Sequence, residues 1–382
     1  MRALLVIVVL FVALACAAGT LTSGSGAASC DIDSGELAAM AGQMIMVGFR
    51  GLDLEEGSPI ADDVRNGRVG GVILFDYDVL LKSQVRNVRS KEQVASLTAS
   101  LQRIAPTPLL VAVDQEGGKV ARLKERHGFA PAPSAAELGR GGPEATERAA
   151  AFMGLEMAAC GINMDFAPVA DVDINPGNPV IGRLDRSFSP DPETVATHVA
   201  AFARGLRAAG VIPVLKHFPG HGSSAMDSHL GLTDVSASWS EQELVPYRRL
   251  LAEGSLGAVM TGHLFNSRLD PAHPATLSRE TVRGLLRKTL GFRGVVVSDD
   301  LQMRAVADHY GLREAIRLAL DAGIDLLLFG NNLEHDPLVA RKAQAIILEL
   351  VDSGEVSCPR IRESHKRIMA LKASLKAVET SR

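Results

Sequence analysis

The sequence predicts a single α/β domain with the (β/α)8 architecture of a TIM-type barrel. From about Ala38 onward, short β-rich runs alternate with helical stretches. Most of the runs are continuously apolar, which is typical of parallel strands that are buried on both faces. The chain carries eight strand-then-helix units. Because an open sheet more often has about five to seven strands, a closed barrel is favoured.

The predicted strands are short and spread along the whole chain. They cover Gln43–Val47, Gly71–Phe75, Leu109–Asp114, Met164–Pro168, Val211–Lys216, Ala258–His263, Gly294–Asp299 and Ile324–Phe329. Helical patterns lie between them at Ser90–Ile104, Pro192–Ala209, Glu241–Glu253, Ser278–Leu290 and Arg304–Ala322. Several helices end at a glycine just before the next strand, as helices that close in a left-handed turn do. The glycines concerned are Gly210, Gly254, Gly291 and Gly323.

The bulk composition limits the function classes that are open to this chain. It has 382 residues, of which 47% are hydrophobic, and a net charge of −4. This length suffices for a sizeable core. A near-neutral charge argues against a nucleic-acid partner, which normally requires a basic face. One Trp and three Tyr also provide few aromatic anchors for base stacking or for a protein interface.

The N-terminus has the pattern of an export signal. Met1 and Arg2 precede the apolar run Ala3–Ala15, and small residues follow it. About 13 apolar residues fall short of the ~20 that a membrane span needs, so a cleaved signal is favoured over a transmembrane anchor. Cys16 partly resembles the lipidated cysteine of bacterial lipoproteins, although Leu14 fits that pattern poorly. A lipid anchor at Cys16 is the alternative to plain cleavage.

The chain therefore divides into three parts. Residues 1–17 are the export signal, and residues 18–35 form a flexible tether of mostly small and polar residues. Residues 36–378 form the (β/α)8 domain, with no low-complexity linker inside it. The protein is expected in the cell envelope, in the periplasm or outside the cell.

The three remaining cysteines are expected to differ in role. Cys160 ends a helical stretch and is expected to be buried as a small apolar residue. Cys30 and Cys358 lie at the two ends of the folded region, where an exported protein can join them by a disulfide. The cysteine spacing forms no zinc motif.

Polar side chains recur at the carboxyl ends of the predicted strands, where a barrel enzyme places its active site. They are Asp114 and Glu116 at the end of strand three, Asp165 and Asp171 on and just after strand four, Lys216 and His217 at the end of strand five, His263 at the end of strand six, and Asp299 and Asp300 at the end of strand seven. Arg122 and Arg186 follow strands three and four. Arginine side chains are usually exposed at the surface, but from these two positions both side chains can reach the barrel mouth.

The segment from Lys216 to His229, here called the histidine loop, is the most informative part of the chain. It holds three histidines and no helical periodicity, and long loops rich in titratable groups usually carry function. Asp227 and His229 are two residues apart, so in an extended backbone they point to the same side. The carboxylate can then hold one ring nitrogen of His229 and leave the other free for proton transfer.

Several of these residues have a structural alternative. Asp299 can be the N-cap of the helix that follows it, with Gln302 three residues on. Asp300 is the better candidate for the cap, and the position of Asp299 opposite the histidine loop favours a nucleophile or an electrostatic stabiliser. His263 is equally well explained as a core histidine, and His221 is better explained as a hydrogen-bonding residue of its loop.

A metal site is not favoured. His217 and His221 have the spacing of a metal-binding pair on a helix. Pro219 and Gly220 lie between them, however, and oppose the helix that would align the two rings. The sequence therefore predicts neither a metal nor another cofactor.

The residue types at the barrel mouth suit a carbohydrate. Fixed Asp, Arg, Lys and His side chains can recognise sugar hydroxyls, and no phosphate-cradling glycine loop accompanies them. A nucleophilic Asp299 with an Asp227–His229 acid/base pair favours double-displacement cleavage of a glycosidic bond.

The chain also resembles a known family. Lys216–Gly222, followed by Asp227, Ser228 and His229, is similar to the signature of bacterial β-N-acetylhexosaminidases of glycoside hydrolase family 3. The other similar blocks are Gly70–Phe75, Asp114–Gly118 with Arg122, Asp165–Val172 and Ser298–Met303. The resemblance covers about residues 38 to 373, and it is to the single-domain members, because no second sheet domain follows the barrel.

The resemblance implies a retaining exo-β-N-acetylglucosaminidase. The expected reaction removes terminal β-linked N-acetylglucosamine from glycans such as peptidoglycan fragments (muropeptides). Asp299 would be the nucleophile that forms a covalent glycosyl-enzyme, His229 the acid/base, and Asp227 the partner of His229. The residues that would hold the terminal sugar are Asp114, Arg122, Arg186, Lys216 and His217.

Two features depart from the family pattern, and two rival functions stay open. Ser223 stands where an Asp often follows Gly222, and the export signal contrasts with the cytoplasmic members that recycle cell-wall fragments. One rival is a phosphorylase, since a histidine acid/base repels an incoming phosphate less than a Glu would. The other is a non-catalytic sugar-binding lipoprotein, against which the presence of Asp227, His229 and Asp299 together argues.

Overall fold

The computed structural model describes residues 30–228, 231–254 and 257–379. Its strands are β1 Ile45–Gly48, β2 Gly71–Ile73, β3 Leu110–Val113, β4 Met164–Asp165, β5 Ile212–Phe218, β6 Thr233–Asp234, β7 Ala258–Thr261, β8 Leu264–Phe265, β9 Val295–Ser298 and β10 Leu327–Phe329. Eight of them form one parallel sheet in the order β10-β1-β2-β3-β4-β5-β7-β9. The short strands β6 and β8 form a separate parallel pair.

Backbone hydrogen bonds between β9 and the residues just before β10 close the sheet. The amide of Leu326 donates to the carbonyl oxygen of Val296 at 3.0 Å, and the amide of Ser298 donates to that of Leu326 at 3.0 Å. The strands are buried along their length, as their continuously apolar sequences require. The predicted (β/α)8 barrel is therefore confirmed.

Helices cover the outside of the barrel. They are α1 Ser34–Gln43, α2 Pro59–Arg65, α3 Lys91–Ile104, α4 Ala135–Leu138, α5 Pro143–Ala159, α6 Pro192–Ala208, α7 Val245–Ala252, α8 Arg304–Ala307, α9 Leu312–Ala322, α10 Val339–Asp352 and α11 Cys358–Glu379, with a π-helix at Glu280–Thr289. Short 3-10 turns lie at Glu125–His127, Gly182–Leu184, Glu241–Leu244 and Ala275–Leu277. Ser90 and Asp191 cap α3 and α6 by accepting the amides of Gln93 and Thr194, which fixes where these helices begin.

Two predicted helices are wrong in detail. Arg304–Ala322 is not one helix but two, α8 and α9, because the chain turns between them and α9 starts anew with Gly311 as its N-cap. Glu241–Glu253 begins as a 3-10 turn and becomes α-helical only at Val245. Glycines close the ends as expected: Gly323, for example, ends α9 with a φ of 113°.

A disulfide links the first described residue to the start of the C-terminal helix α11. Cys30 and Cys358 are bonded, with their Cα atoms 5.6 Å apart, while Cys160 is a buried free thiol. The bond ties Cys30, which lies four residues before the start of α1, to the first residue of α11. The export signal, Cys16 and the tether up to residue 29 lie outside the described residues. Among the helices that are described, none is long and apolar enough to cross a bilayer.

Removing this disulfide should destabilise the barrel. The two cysteines are 328 residues apart in sequence, so the bond restricts the unfolded chain strongly, and its loss costs about 2–5 kcal/mol of unfolding free energy. Denaturant unfolding of Cys30→Ser beside the oxidised wild type measures this cost. Reductant should destabilise the wild type and leave Cys30→Ser unchanged. Equal stability of the oxidised wild type, the reduced wild type and Cys30→Ser would contradict the prediction.

Candidate active site

A cavity of about 400 Å³ opens at the carboxyl ends of the barrel strands. Its charged lining consists of Asp76, Asp114, Glu116, Arg122, Arg186, Lys216, His217, Asp227, Asp299 and Asp300. Apolar lining comes from side chains such as Phe75, Val79, Phe166, Met260 and Leu328. Small-molecule sites commonly have volumes of about 300–1,000 Å³, so the cavity has the size of a ligand site. Seven predicted catalytic and sugar-binding residues line it, namely Asp114, Arg122, Arg186, Lys216, His217, Asp227 and Asp299. The eighth, His229, lies outside the described residues.

Four charged side chains, Asp114, Glu116, Arg186 and Lys216, form what is here called the charged network. The ammonium of Lys216 lies 2.8 Å from Oδ1 of Asp114 and 2.7 Å from Oε1 of Glu116. Arg186 donates to both carboxylate oxygens of Glu116, at 2.7 and 2.8 Å. Arg122 adds a bond of 3.2 Å to the other oxygen of Asp114. These contacts join the ends of β3 and β5 across β4 and fix the orientation of each polar group.

Charge pairing keeps the network ionised. Burial alone would raise the pKa of Asp114, but Lys216 and Arg122 outweigh it and hold this pKa well below its usual range. Glu116 behaves in the same way, because Arg186 and Lys216 lower its pKa against the effect of burial. The carboxylates in turn raise the pKa of Lys216. At neutral pH the cavity wall thus presents fixed charges, which make strong hydrogen bonds with hydroxyl groups.

His217 is held against the network by a buried carboxylate. Its Nδ1 lies 2.7 Å from Oδ2 of Asp171, and its Nε2 lies 3.3 Å from a guanidinium nitrogen of Arg186. We assign the tautomer in which Nδ1–H donates to Asp171, since Nε2 then accepts from Arg186. Burial opposes ionisation of Asp171, but His217 and His221 lower its pKa to about 2.

His221 serves the loop rather than the cavity. Its amide donates to Oδ1 of Asp171 at 2.8 Å, and its ring lies between the hydroxyls of Ser224 and Ser228, at 2.7 and 3.2 Å. Burial lowers the pKa of His221 to about 4, so the ring is neutral near pH 7. The interpretation of His221 as a loop-stabilising residue is confirmed. Within the described ranges, no three His, Cys, Asp or Glu side chains come together as a metal site.

The histidine loop rests on Glu243, in the 3-10 turn before α7. The amide of Gly222 donates to Oε2 of Glu243 at 2.8 Å. A Cβ atom at Gly220, whose φ is 124°, would overlap the Glu243 side chain, and one at Gly222 would overlap the carbonyl oxygen of Val172. Only glycine fits at these two positions, which explains why they flank His221 in the motif.

Glu243 makes the stability of this region depend on pH. Burial raises the pKa of Glu243 from 4.5 to about 8. The folded protein keeps this proton up to about pH 8, whereas the unfolded chain releases it near pH 4.5, so stability falls as the pH rises through this window. In this window the free energy of unfolding falls by at most about 1.4 kcal/mol per pH unit.

The variant Glu243→Gln cannot ionise and keeps an acceptor for the Gly222 amide. It should therefore be more stable than the wild type at pH 8 and close to it at pH 5. Denaturant unfolding of both proteins at the two pH values measures the difference. Parallel pH profiles for the wild type and Glu243→Gln would show that Glu243 is not protonated in the folded state.

Asp299 and Asp300 have separate roles at the end of β9. Asp299 lines the cavity, and its Oδ1 accepts the amide of Asp300 at 2.8 Å. The carboxylate of Asp300 accepts the amides of Gln302 and Gly330, at 3.0 and 2.9 Å. The N-cap of the following helix α8 is Met303, which makes no side-chain cap bond. The expected helix cap at Asp300 is therefore wrong, and Asp300 instead stabilises the turn that precedes α8. The nucleophile role of Asp299 stays a prediction.

The histidine loop brings Asp227 to the same cavity. Its predicted partner His229 lies outside the described residues, so the Asp227–His229 pair and its acid/base role stay predictions. His263 is not among the lining residues. Its ring lies between the hydroxyl of Thr276 at 2.8 Å and the carbonyl oxygen of Asp300 at 2.9 Å, which favours the core-histidine alternative.

Sequence reasoning missed the roles of two carboxylates. The sequence places Glu116 in a strand-end motif without indicating its ion pairs. Its position two residues after Asp114 is the available signal, because residues two apart in an extended chain share a side. Asp171 is likewise predicted only as a strand-end residue. Its contact with His217 spans 46 residues, and no local signal in the sequence gives it.

The chain is similar to known proteins along most of its length. Residues 37–371 match the Glycosyl hydrolase family 3 N terminal domain. The chain is 41% identical over 287 residues to a β-hexosaminidase of Tolumonas auensis, covering 74% of this chain and 80% of that protein. It is 38% identical over 340 residues to the β-hexosaminidase LpqI of Mycobacterium tuberculosis, covering 86% and 81%.

Solved structures of β-N-acetylglucosaminidases and β-N-acetylhexosaminidases are also similar to this chain. A family 3 β-N-acetylglucosaminidase from Paenibacillus sp. str. FPU-7 aligns with a TM-score of 0.81 and 40% identity, covering 90% of this chain and 63% of that one. The chain thus spans less than two thirds of the Paenibacillus protein. A β-N-acetylhexosaminidase from Beutenbergia cavernae aligns with a TM-score of 0.80 and 31% identity, covering 90% of this chain and 100% of that one.

Proposed function

Because the chain belongs to glycoside hydrolase family 3, we propose that it is a retaining exo-β-N-acetylglucosaminidase. Its similarity to β-hexosaminidases and to a family 3 β-N-acetylglucosaminidase supports the statement that the protein is a glycoside hydrolase of the β-hexosaminidase type. The retaining mechanism, the residues that perform it and the natural substrate are the proposed part.

The observation that carries the proposal is the set of residues that line the cavity. Asp299 follows β9 and Asp227 belongs to the histidine loop, yet both line the cavity that the charged network closes on one side. Lys216 and Glu116 are only 3% and 4% exposed, so the cavity ends at the network. A closed end of this kind fits the terminal sugar of a chain better than an internal one.

In the proposed mechanism Asp299 attacks the anomeric carbon while His229 protonates the departing glycosidic oxygen. The amide of Asp300 orients the attacking carboxylate through its Oδ1, and Asp227 orients His229. His229 then deprotonates a water molecule, which releases the sugar from Asp299. Two inversions at the anomeric carbon retain the β configuration. The charged network and His217 hold the hydroxyls of the terminal sugar.

We also propose that the protein is exported and acts on envelope or extracellular glycans, including muropeptides that end in β-linked N-acetylglucosamine. The apolar run Ala3–Ala15 supports export. The Cys30–Cys358 disulfide supports it too, because disulfides persist in oxidising compartments.

A lipid anchor at Cys16 is testable by fractionation. A lipidated protein should partition with membranes, and Cys16→Ala should release it, because an acyl anchor is lost with its cysteine. Mass spectrometry of the mature N-terminus checks the modification directly. A freely soluble wild type that starts at or beyond Ala17 would rule the anchor out.

The activity is tested with a chromogenic β-N-acetylglucosaminide beside the matching β-glucoside. The wild type should hydrolyse the first and act weakly on the second, because the proposed site holds an N-acetylated sugar. In phosphate buffer the product should be free N-acetylglucosamine; formation of the sugar 1-phosphate would indicate a phosphorylase. Binding of N-acetylglucosamine without any turnover would indicate a non-catalytic sugar-binding protein.

A further inference from the structure

We infer that Asp76 is an additional substrate-binding residue, whose Oδ1 accepts a hydrogen bond from a hydroxyl of the terminal sugar. This inference rests on the proposed function and extends it, because Asp76 is not among the residues assigned to the site above.

Asp76 lies in the cavity wall. It follows β2 by three residues, and it lines the cavity together with its neighbours Phe75 and Tyr77. The adjacent strand β3 delivers Asp114, a member of the charged network, to the same cavity. Asp76 therefore stands on the side of the cavity where the terminal sugar is held.

The two oxygens of this carboxylate have different surroundings. Oδ2 of Asp76 accepts bonds of 2.6 Å from the ammonium of Lys124 and of 2.6 Å from the guanidinium of Arg126. Oδ1 is buried and has no hydrogen-bond partner in the part of the chain that the structure describes. The side chain is only 1% exposed. A buried carboxylate oxygen without a donor is unfavourable, so a ligand that supplies a donor gains affinity there.

Asp78 provides an internal comparison. It is also buried, and it also pairs with two cations, Arg50 and Arg86. Both of its oxygens have donors, however: Oδ2 accepts from Arg50 and Arg86, and Oδ1 accepts from Arg50 and from the amide of Leu81. Asp78 is not among the residues that line the cavity. Asp78 therefore forms a structural ion pair, whereas Asp76 combines the same ion pairing with an acceptor oxygen that has no donor among the described residues.

The chemistry of Oδ1 selects a neutral donor. A carboxylate oxygen accepts O–H and N–H groups and repels phosphate or carboxylate. Lys124 and Arg126 fix the other oxygen, so Oδ1 is held in place before the ligand arrives. A preoriented acceptor of this kind suits a sugar hydroxyl.

The experiment compares variants of the complete protein. In Asp76→Asn the two cations hold the amide oxygen, so the amide nitrogen replaces Oδ1 and offers a donor where the sugar needs an acceptor. Asp78→Asn is the matched control. Lys124→Met removes one of the two ion pairs of Asp76 and keeps Oδ1, while Arg126 still holds Oδ2. The readouts are KM for the chromogenic β-N-acetylglucosaminide, the inhibition constant of free N-acetylglucosamine, and the melting temperature.

We expect Asp76→Asn to raise KM and the inhibition constant together by about tenfold or more, the usual effect of losing a charge-assisted hydrogen bond. Asp78→Asn and Lys124→Met should change both by less than about twofold. If Asp76→Asn does not fold, Asp76→Ser removes Oδ1 in a smaller side chain, and the same result is expected.

Two outcomes would overturn the inference. One is unchanged constants in a folded Asp76 variant. The other is an equal rise in Lys124→Met, because Asp76 would then act only by anchoring the Lys124 segment. Failure of the proposed function itself is distinguishable, since the wild type would then show no turnover at all.

Discussion

Replacing Asp299 by Asn should lower kcat on a β-N-acetylglucosaminide by about 10⁴-fold or more, because the amide cannot attack the anomeric carbon. The substitution keeps the size of the side chain and an oxygen that can accept the Asp300 amide, which lies 2.8 Å away in the wild type. The fold should therefore persist. Steady-state kinetics measure the loss, and an unchanged melting temperature and retained binding of N-acetylglucosamine are the controls.

Covalent labelling separates Asp299 from its neighbour. A mechanism-based 5-fluoro glycoside should label Asp299 in the wild type, and peptide mass spectrometry locates the label. A label on Asp300 would move the nucleophile by one residue, against the two backbone amides that the Asp300 carboxylate accepts. Near-normal activity of a folded Asp299→Asn protein would remove the nucleophile assignment altogether.

His229→Ala should have the second large effect, and this effect should depend on the leaving group. Natural sugars depart as alkoxides that need a proton, so their cleavage should fall by about 10²–10⁴-fold. Nitrophenyl groups need little protonation, so the first step with these substrates should suffer much less. Rates for a disaccharide and a nitrophenyl glycoside, measured with both proteins, give the comparison.

Azide tests the second half of the same role. It attacks without a base, so it should accelerate the His229→Ala variant where the second step limits turnover, and it should give a β-glycosyl azide. Asp227→Ala should show a milder version of the pattern, because Asp227 acts only through the ring of His229. If His229→Ala slowed both substrate types equally and azide gave no product, His229 would be a binding residue instead.

The barrel and the position of its site could be predicted because both follow from local sequence. Parallel strands that are covered on both faces are apolar along most of their length, and most of the eight runs have this pattern. Their carboxyl ends meet at one end of the barrel, so polar residues that follow separate strands come together there. Asp114, Lys216 and Asp299 reach a single cavity for this reason.

The long-range partners could not be predicted in this way. The pairs Arg186–Glu116 and His217–Asp171 span 70 and 46 residues, and nothing in the local pattern indicates which carboxylate meets which cation. The break between α8 and α9 was missed because helical periodicity continues across it. The lack of a donor for Oδ1 of Asp76 among the described residues becomes apparent only from the structure, in which Lys124 and Arg126 both bond the other oxygen.

The configuration of the first sugar released tests the central claim most directly. Proton NMR can follow hydrolysis of a β-N-acetylglucosaminide by the wild type before the product mutarotates. The proposed double displacement at Asp299 predicts that β-N-acetylglucosamine forms first and that the α anomer appears only later. Initial formation of the α anomer would mean a single displacement by water, and it would contradict a covalent intermediate on Asp299.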